Sequence, residues 1–531
     1  MERESRYAET NVGISNRKGG QNLNQDSVKP ATGTMTGRLI LSVFAAVMGS
    51  LQFGYNTGVI NAPEGSIKDF MNQTHIRRTG ESLTLESIRN TYALLVAIFA
   101  VGGMLGGLLA GWWADYFGRK YGMLINNAFG IAAAALMFFS RMAWSYEMVI
   151  VGRFFVGFNS GLYTGLTPLY LSEISTSNIR GALGVIHQLG VTIGILLSQI
   201  LGFPELLGNE PYWHILLGLC AVPCALQLLT MPFCPESPRY LLISKEKEDH
   251  ALKALVKLRG TSAVHDDIEE MKKEFLIQQS EAKISLIHFL RKKSLWTPLL
   301  ISFIMHLSQQ LSGIVAVFYY SFSLFKSVGL SEDSAAHATS GIGAIMVTMT
   351  MVTIPLMDRV GRRTLHLLGL GGMFVFSILI TVSLALTHLA EWVKVTNVVV
   401  SLLYVVFFAI GPGSIPWLIV AELFSQGPRP AAISLSVLVN WVANFAVGYA
   451  FPSMQAGLGN YSFLPFTGCI ALCGIFLFIY LPETKNRTFE DITSAWRKRP
   501  DSELSLSSAG SNEVAKEDSN LVTFSGVKSH I

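Results

Sequence analysis

The sequence contains few charged residues. Only 14% of its 531 residues are Asp, Glu, Lys or Arg, whereas half are apolar. A typical soluble protein carries about 25% charged residues, so this composition excludes an ordinary soluble globular domain. It is typical of an integral membrane protein.

Cysteine is also scarce. The five cysteines lie at positions 220, 224, 234, 469 and 473, inside or beside apolar runs, and this placement implies no disulfide framework. The sequence lacks a metal-ligand cluster and a nucleophile–base motif, so we expect no metal, no cofactor and no enzyme activity. The first 35 residues lack the apolar core of a signal peptide, so the first apolar run is expected to be an uncleaved span.

Apolar runs of about 20 residues, the length that crosses the hydrocarbon of a bilayer, recur along the chain. They predict an all-α membrane protein with six spans, a polar gap and six further spans. The twelve runs begin near Leu39, Tyr92, Met123, Met148, Leu183, His214, Pro298, Ala336, Leu365, Val398, Ala431 and Ser462.

The polar gap is expected to form short amphipathic helices. Leu252, Leu255 and Val256 have helical spacing among charges, and Gly260 is expected to end that helix. A solvated linker with only transient helicity is the alternative. The predicted parts of the chain are a disordered N-terminus (1–35), a six-helix bundle (36–234), a cytoplasmic linker (235–295), a second six-helix bundle (296–485) and a polar tail (486–531).

Lys and Arg concentrate in the linker and in the short polar segments on one side of the predicted bundle. Because short loops rich in Lys and Arg stay in the cytoplasm, this side and both termini are predicted to be cytoplasmic, in a multi-pass plasma-membrane protein. The long first loop lies on the opposite side. There, Asn72-Gln73-Thr74 is a glycosylation acceptor sequence.

Charged motifs of the first half return in the second half in the same order. This pattern indicates two parallel six-helix repeats, a layout in which transporters hold their substrate near the bilayer midplane, between the repeats. The matched motifs are DYFGRK (115–120) with DRVGRR (358–363), Glu173 and Arg180 with Glu422 and Arg429, and PESPR (235–239) with PETK (482–485).

The stretch GGMLGGLLAG at 102–111 places Gly103, Gly107 and Gly111 four residues apart. No strand precedes it and no lysine of a nucleotide-binding loop follows, which argues against ATP binding. On a membrane helix, this spacing lets a neighbouring helix approach closely. We therefore expect a helix-packing face.

Taken in order, these motifs resemble those of the facilitative sugar transporters, and most closely the animal glucose-carrier class, over roughly residues 36–495. The resemblance implies a major facilitator fold and facilitated transport of a hexose, expected to be D-glucose, by alternating access. The implied partners are the small-molecule sugar and the lipid bilayer, with no nucleic acid. The motifs that carry it are GRK (118–120), GRR (361–363), PESPRYLL (235–242), QQLSG (309–313), GPGSIPW (411–417), AELFSQGPRPAA (421–432) and PETK (482–485).

The resemblance also implies a charged network that pairs across the two halves and closes the cytoplasmic mouth when the outer mouth is open. Ion pairs of about 0–1 kcal/mol each suit this role, because they break and re-form as the halves move. The alternative is that these charges only set the membrane topology. The network residues are Arg119, Glu173, Arg180, Arg362, Arg363, Glu422 and Arg429.

Two adjacent amides, Gln309 and Gln310, lie inside an apolar run. An amide can donate to and accept from sugar hydroxyls without the desolvation cost of an ion, so we expect both to face a central cavity. The alternative is that they only join helices. The resemblance adds further candidates, among which the indole of Trp417 offers an apolar face to a pyranose and favours glucose over fructose. The added candidates are Gln188, Trp417, Asn440 and Asn444.

Glycine and proline residues are expected to interrupt the tenth span beside Trp417, at the point where a helix must bend to form a gate. Energy coupling to protons would require a titratable group in the pathway. The resemblance places Asn56 where proton-coupled relatives carry an Asp, near Arg153, and an amide releases no proton. His187 and His306 are expected to be structural. Uniport is therefore the favoured interpretation, with proton-coupled symport as one rival.

Three positions depart from the glucose class. Val315 and Met346 stand in place of asparagines, and Ala409 stands in place of a glutamate. Losing two amides is expected to weaken sugar binding by about 1–3 kcal/mol. A less hydroxylated ligand, a low-affinity site and a chain held in one state all stay open, so a non-transporting sugar sensor or receptor is the second rival.

Overall fold

A computed structural model describes residues 36–176, 179–280, 286–425, 427–485 and 487. Within these ranges the chain consists of nineteen α-helices and a few short helical turns, without a β-strand. The predicted N-terminal segment 1–35 and nearly all of the predicted tail lie outside the described residues.

The first half contains six membrane-spanning segments and one helix in the first loop. The hydroxyl of Thr36 accepts a hydrogen bond from Leu39 N and caps the first helix. The last span is divided in two near Leu219. The helices are α1 (Gly37–Gly58), α2 in the first loop (Glu64–Thr79), α3 (Leu85–Phe117), α4 (Arg119–Phe139), α5 (Tyr146–Ile174), α6 (Arg180–Leu201), α7 (Trp213–Gly218) and α8 (Ala221–Thr230).

The linker is helical, as predicted. It consists of α9 (Glu248–Arg259), α10 (His265–Ser280) and α11 (Leu286–Arg291). The first of these ends at Gly260, whose φ of 69° is the left-handed conformation that favours glycine. Apolar side chains of α9 and α10, Leu255 and Ile268 among them, form a small core of their own.

The second half contains the other six spans. Two of its spans are broken, so that each consists of two helices. The helices are α12 (Trp296–Gln310), α13 (Ile314–Ser327), α14 (Glu332–Val360), α15 (Arg362–Ala385), α16 (Glu391–Ile410), α17 (Ile415–Leu423), α18 (Arg429–Leu458) and α19 (Leu464–Tyr480). α12 with α13 forms the seventh span, and α16 with α17 forms the tenth.

Ten of these segments are long and apolar enough to cross a membrane by length and composition. α19 is apolar but shorter, with 17 residues. α5 has 29 residues and is long enough, but polar side chains such as Arg153, Asn159 and Ser160 make it less apolar than the ten segments. It packs along α3 and α4 inside the first half. The twelve segments together confirm the predicted all-α fold of six spans, a helical linker and six spans.

The bundle has two opposite ends, which we name by what lies there. The linker face carries α9, α10 and α11, and the Thr36 hydroxyl donates to Leu258 O at 2.6 Å, so α1 begins at this face. The loop face is the opposite end and carries α2, which follows the other end of α1.

The two halves pack through α3 against α18 and through α6 against α14. A Cβ atom at Gly103 would lie 2.7 Å from the Trp441 ring, and one at Gly107 would lie 2.9 Å from Val437. These two glycines therefore form the predicted packing face. Gly111, one turn nearer the linker face, has nothing within 4 Å of its Cβ position, so the close approach does not extend that far.

At the loop face, the two halves are joined by Asn61. Its amide nitrogen donates to Phe318 O at 2.9 Å and to the Ser321 hydroxyl at 2.7 Å, and its amide oxygen accepts from Phe322 N at 3.0 Å. Because Asn61 belongs to the first half and its three partners belong to α13, these bonds close the bundle at the loop face.

Candidate functional site

The candidate site is built on the two broken spans of the second half. α12 ends at Gln310 and α13 begins at Ile314, and between them Gly313 has a φ of +95°, which favours glycine. α16 ends at Ile410 and α17 begins at Ile415, which confirms the predicted interruption of the tenth span. Each break leaves backbone carbonyls without an intrahelical donor.

Gln309 donates hydrogen bonds to backbone carbonyls at the break in the tenth span. Its amide nitrogen donates to Pro412 O at 2.7 Å and to Gly413 O at 2.8 Å. The side chain is buried, with 4% of its surface exposed. An amide is therefore held in the membrane region because it hydrogen-bonds two carbonyls that the α16–α17 break leaves free.

The other predicted amides of the second half continue from Gln309 as one connected set. Asn440 donates to the Gln309 amide oxygen at 2.7 Å, Gln310 donates to the Asn440 amide oxygen at 3.0 Å, and Asn444 donates to the Gln310 amide oxygen at 3.2 Å. Tyr319 donates to the Asn444 amide oxygen at 3.2 Å. We call Gln309, Gln310, Asn440 and Asn444 the amide chain.

The amide chain brings together four of the six predicted sugar-binding residues, and it also joins helices. It connects α12 to the α16–α17 break and to α18, which is the alternative role that the sequence left open. In this conformation its members bond to one another. Their contact with a sugar stays a prediction.

The remaining two predicted residues lie apart from the amide chain. Trp417 is half-buried on α17, and its ring packs edge-on against His306, with the ring centres 5.3 Å apart. Gln188 is half-buried on α6 of the first half. No described residue forms a hydrogen bond with its side chain, so the structure does not connect it to the second half.

The two histidines that were expected to be structural each form a hydrogen bond inside their own half. His187 Nδ1 lies 2.8 Å from the Ser50 hydroxyl, and His306 Nδ1 lies 3.0 Å from Ser302 O. These are local contacts between neighbouring turns or helices. They fit the structural role expected of both histidines.

The three departures from the glucose class are all buried. Val315, Met346 and Ala409 have 2%, 3% and 4% of their surface exposed. Val315 is the second residue of α13, directly after the break at Gly313, and Ala409 is the second-last residue of α16, directly before the break in the tenth span. Thr353 donates to Ala409 O at 3.2 Å. Two of the three apolar side chains therefore lie beside the breaks that shape the site.

The GRK motif of the first half organises the linker face. Arg119, the first residue of α4, donates to both carboxylate oxygens of Glu173 at 2.8 Å. The Glu236 carboxylate accepts from the backbone nitrogens of Arg119 at 3.1 Å and Lys120 at 3.0 Å. Burial raises the pKa of Glu236, and the neighbouring N–H groups oppose that rise.

The GRR motif of the second half repeats this arrangement. Arg362, the first residue of α15, donates to the Glu422 carboxylate at 3.3 Å. Glu483 accepts from the backbone nitrogens of Arg362 at 2.9 Å and Arg363 at 3.1 Å. The repeat that the sequence indicated therefore corresponds to a repeated structural unit, in which one glutamate binds the start of a helix.

In this conformation the described ion pairs of these charges lie within each half, and pairing across the halves stays a prediction for the state that is open at the loop face. Arg119 with Glu173, and Arg362 with Glu422, each join two helices of the same half. The physical reason is that this conformation is closed at the loop face, so the described pairs fix helix ends within each half. Arg429 also contacts its own half, since it donates to Phe424 O at 3.0 Å.

Arg363 and Arg180 are the remaining residues of the predicted network. Arg363 donates to Phe478 O at 2.7 Å, which connects α15 to α19. The side chain of Arg180 lies outside the described residues. Its predicted place in the network stays a prediction.

Sequence reasoning did not assign roles to several residues that organise these sites. Glu236 and Glu483 belong to motifs that marked the repeat, and their matched positions were the signal that could have identified them. Asn61 and Tyr319 gave no such signal, because each is a single polar residue whose partners are distant in sequence.

Asn72, the predicted glycosylation acceptor, lies in α2 at the loop face. It is half-buried, and its amide oxygen accepts from Leu83 N at 2.9 Å. The amide nitrogen, the atom that would carry a glycan, is not used in that bond.

Comparison with known proteins places the chain in a family. The sequence profile described as "Sugar (and other) transporter" matches residues 42–496. The chain belongs to this sugar transporter family. It is 47% identical over 464 residues to "Solute carrier family 2, facilitated glucose transporter member 1" of Gallus gallus, covering 87% of this chain and 94% of the relative. It is 48% identical over 466 residues to member 3 of Mus musculus, covering 88% and 94%.

Two solved structures have the same fold as this chain. The partially occluded inward-open form of the xylose transporter XylE from E. coli matches with a TM-score of 0.71 at 23% identity, covering 85% of this chain and 100% of that one. The proton:xylose symporter XylE bound to 6-bromo-6-deoxy-D-glucose matches with a TM-score of 0.70 at 23% identity, covering 87% and 100%. The chain therefore has the major facilitator fold.

Proposed function

We propose that this chain is a facilitative uniporter that moves a hexose, D-glucose, across the plasma membrane by alternating access. The observation that carries the proposal is the amide chain, a connected set of uncharged donors and acceptors beside two helix breaks. Relatives at 47–48% identity that are named facilitated glucose transporters support it.

The amide chain suits a sugar because its bonds are exchangeable. Each amide can replace a bond to another amide by a bond to a sugar hydroxyl, since both groups donate and accept. The number of hydrogen bonds then stays nearly constant on binding, which keeps the net cost low. Trp417 would add an apolar face in the second half, and Gln188 a polar contact from the first.

The paired motifs support a mechanism in which each half moves as one body. The Arg119–Glu173 and Arg362–Glu422 pairs fix helix ends within the halves, so a change of state would occur between them. The corresponding units are residues 36–234 and 296–485, with 235–295 as the linker. In this proposal the linker face and both termini are cytoplasmic, and Asn72 carries a glycan outside the cell.

Counterflow uptake of radiolabelled hexoses into proteoliposomes tests the proposal. We expect D-glucose to enter faster than fructose and without a proton gradient. Sugar binding without counterflow would instead indicate a non-transporting sensor. Sugar-driven acidification of the vesicle interior would indicate a symporter.

The three apolar positions offer a sharper test of the site. We expect Val315→Asn and Met346→Asn to tighten sugar binding, by roughly several-fold to a hundredfold when combined, because two amides would each add about 0.5–1.5 kcal/mol. Ala409→Glu is measured alongside them in the counterflow assay. Equal or weaker affinity in the double variant would contradict the placement of these positions at the sugar.

A further inference from the structure

Arg153 carries a full charge inside the membrane-spanning region. It lies on α5, about two turns from the loop-face end of that helix, and it is fully buried, with 0% of its surface exposed. Its Nη1 donates to Asn56 O at 2.6 Å, and its guanidinium lies 4.6 Å from the centre of the Phe99 ring. These contacts use one side of the guanidinium.

The other side of the guanidinium has no described partner. Nε and Nη2 form the edge that can bind two acceptors side by side, and both are buried and donate to no acceptor within the described ranges. No carboxylate of those residues forms an ion pair with Arg153 either. Arginine is not deprotonated in proteins, and an uncompensated buried charge is strongly unfavourable. Something else must balance the charge.

The neighbouring polar groups do not supply a negative charge. Tyr92, Tyr319 and Tyr320 lie within electrostatic range of Arg153, but the hydroxyl of each donates to an oxygen elsewhere. Asn56, whose backbone oxygen accepts from Arg153, has a neutral side chain, and its amide oxygen has no partner among the described residues. The Cys220 thiol also lies within electrostatic range of Arg153. Glu64, which lies near Tyr92, is paired with Lys68, so the described surroundings are largely aromatic and supply no unpaired negative charge.

We propose that the Nε–Nη2 edge of Arg153 binds a small monovalent anion, chloride. Two parallel N–H groups on a guanidinium bind an anion with charge-assisted hydrogen bonds. The positive edges of aromatic rings favour an anion beside them. This site is separate from the amide chain, and it goes beyond the proposed sugar transport.

The site is shared by both halves. Arg153, Asn56 and Phe99 belong to the first half, whereas Tyr319 and Tyr320 belong to α13 of the second. The contacts of Asn61 close the loop face above it, so the anion is enclosed in this conformation and exchanges when the loop face opens. A ligand that binds one conformation more tightly stabilises it, so chloride is expected to favour the state closed at the loop face.

Thermal unfolding of the purified full-length protein in detergent tests the proposal, with sodium chloride replaced by sodium gluconate at constant ionic strength. We expect the unfolding temperature to rise with chloride concentration, as binding to the folded state requires. Asn56→Asp is the decisive variant because it places a carboxylate beside Arg153. It is expected to unfold at the same temperature in both salts, with a stability in gluconate at or above that of the unmodified chain.

Bromide, which can be located by its anomalous X-ray scattering, tests the position of the anion. A bromide peak within hydrogen-bond distance of Nε and Nη2 is the expected result. Equal unfolding temperatures of the unmodified chain in chloride and gluconate would overturn the proposal. A water molecule at this position in place of bromide would also overturn it. The same is true if the unfolding temperature of Asn56→Asp rose with chloride as much as that of the unmodified chain. Neither readout depends on sugar transport, so a failure here is distinct from a failure of the proposed function.

Discussion

At the residue scale, Gln309 shows why an amide is retained in an apolar helix. Both of its donors reach carbonyls of the α16–α17 break, and its oxygen accepts from Asn440 at 2.7 Å and from Gln310 at 3.3 Å. All of its hydrogen-bonding groups are therefore used. Gln188 has the same side chain but no described hydrogen bond, so the two glutamines differ in what they contribute to the fold.

Gln309→Met is predicted to lower the stability of the folded protein. The substitution leaves Pro412 O and Gly413 O buried without a donor, and each unsatisfied buried group costs about 1–3 kcal/mol. Thermal unfolding in detergent measures the effect. Gln188→Met is the matched control, for which we expect a small change in unfolding temperature with weaker sugar binding. Equal losses of stability in the two variants would contradict this distinction.

At the scale of elements, α4 and α15 begin with the same local structure. Each helix follows a glycine, Gly118 or Gly361, with φ of 87° or 103° and ψ of 175° or 160°. This region of backbone conformation is essentially restricted to glycine. It lets a carboxylate from a distant segment reach the first N–H groups of the helix, where the helix dipole favours negative charge.

Gly118→Ala is predicted to destabilise the first half. Its backbone conformation would cost about 1–3 kcal/mol in any other residue, and the new Cβ would lie 2.6 Å from a Glu236 carboxylate oxygen. Gly111→Ala is the control, because its Cβ position has nothing within 4 Å and alanine favours a helix. Unfolding temperatures in detergent compare the two. A loss for Gly111→Ala as large as that for Gly118→Ala would refute the argument.

The same elements show what the sequence could and could not predict. The helix end at Gly260 and the break between Ile410 and Ile415 were predictable, because glycine and proline act locally on the backbone. The bonds of the amide chain were not, since most of them join residues more than 100 positions apart. The charged repeat indicated that Arg119 and Glu173 matter, but pairing within a half and pairing across the halves fit the same pattern.

At the scale of the whole molecule, the proposed alternating-access mechanism requires two states, and the structure described above would be one of them. Inter-half contacts include Asn61 with α13 at the loop face and Gly103 with Trp441 farther inside, and the packing of α3 on α18 loosens by Gly111. Each half is fixed internally by its own ion pairs. Asn61 makes three hydrogen bonds between the halves at the loop face, so we expect it to influence the balance between states.

Asn61→Asp is predicted to shift the population toward a state open at the loop face. The carboxylate retains the acceptor for Phe322 N and can accept from the Ser321 hydroxyl, but it loses the bond donated to Phe318 O and faces that carbonyl. Leaving the Phe318 carbonyl without its donor costs about 1–3 kcal/mol, which corresponds to a roughly 5- to 150-fold change in the ratio of states. Spin labels at the exposed Glu81 and Glu391 report the distance between the halves at this face.

The matched control for this shift is Asn397→Asp. Asn397 donates to Ser383 at 2.7 Å, and both residues belong to the second half, so the same chemical change leaves the contact between the halves intact. We expect electron–electron double resonance to show longer distances for Asn61→Asp and an unchanged distribution for Asn397→Asp. If both variants kept the distances of the unmodified chain, other contacts would hold the loop face closed, and the role given to Asn61 would be wrong.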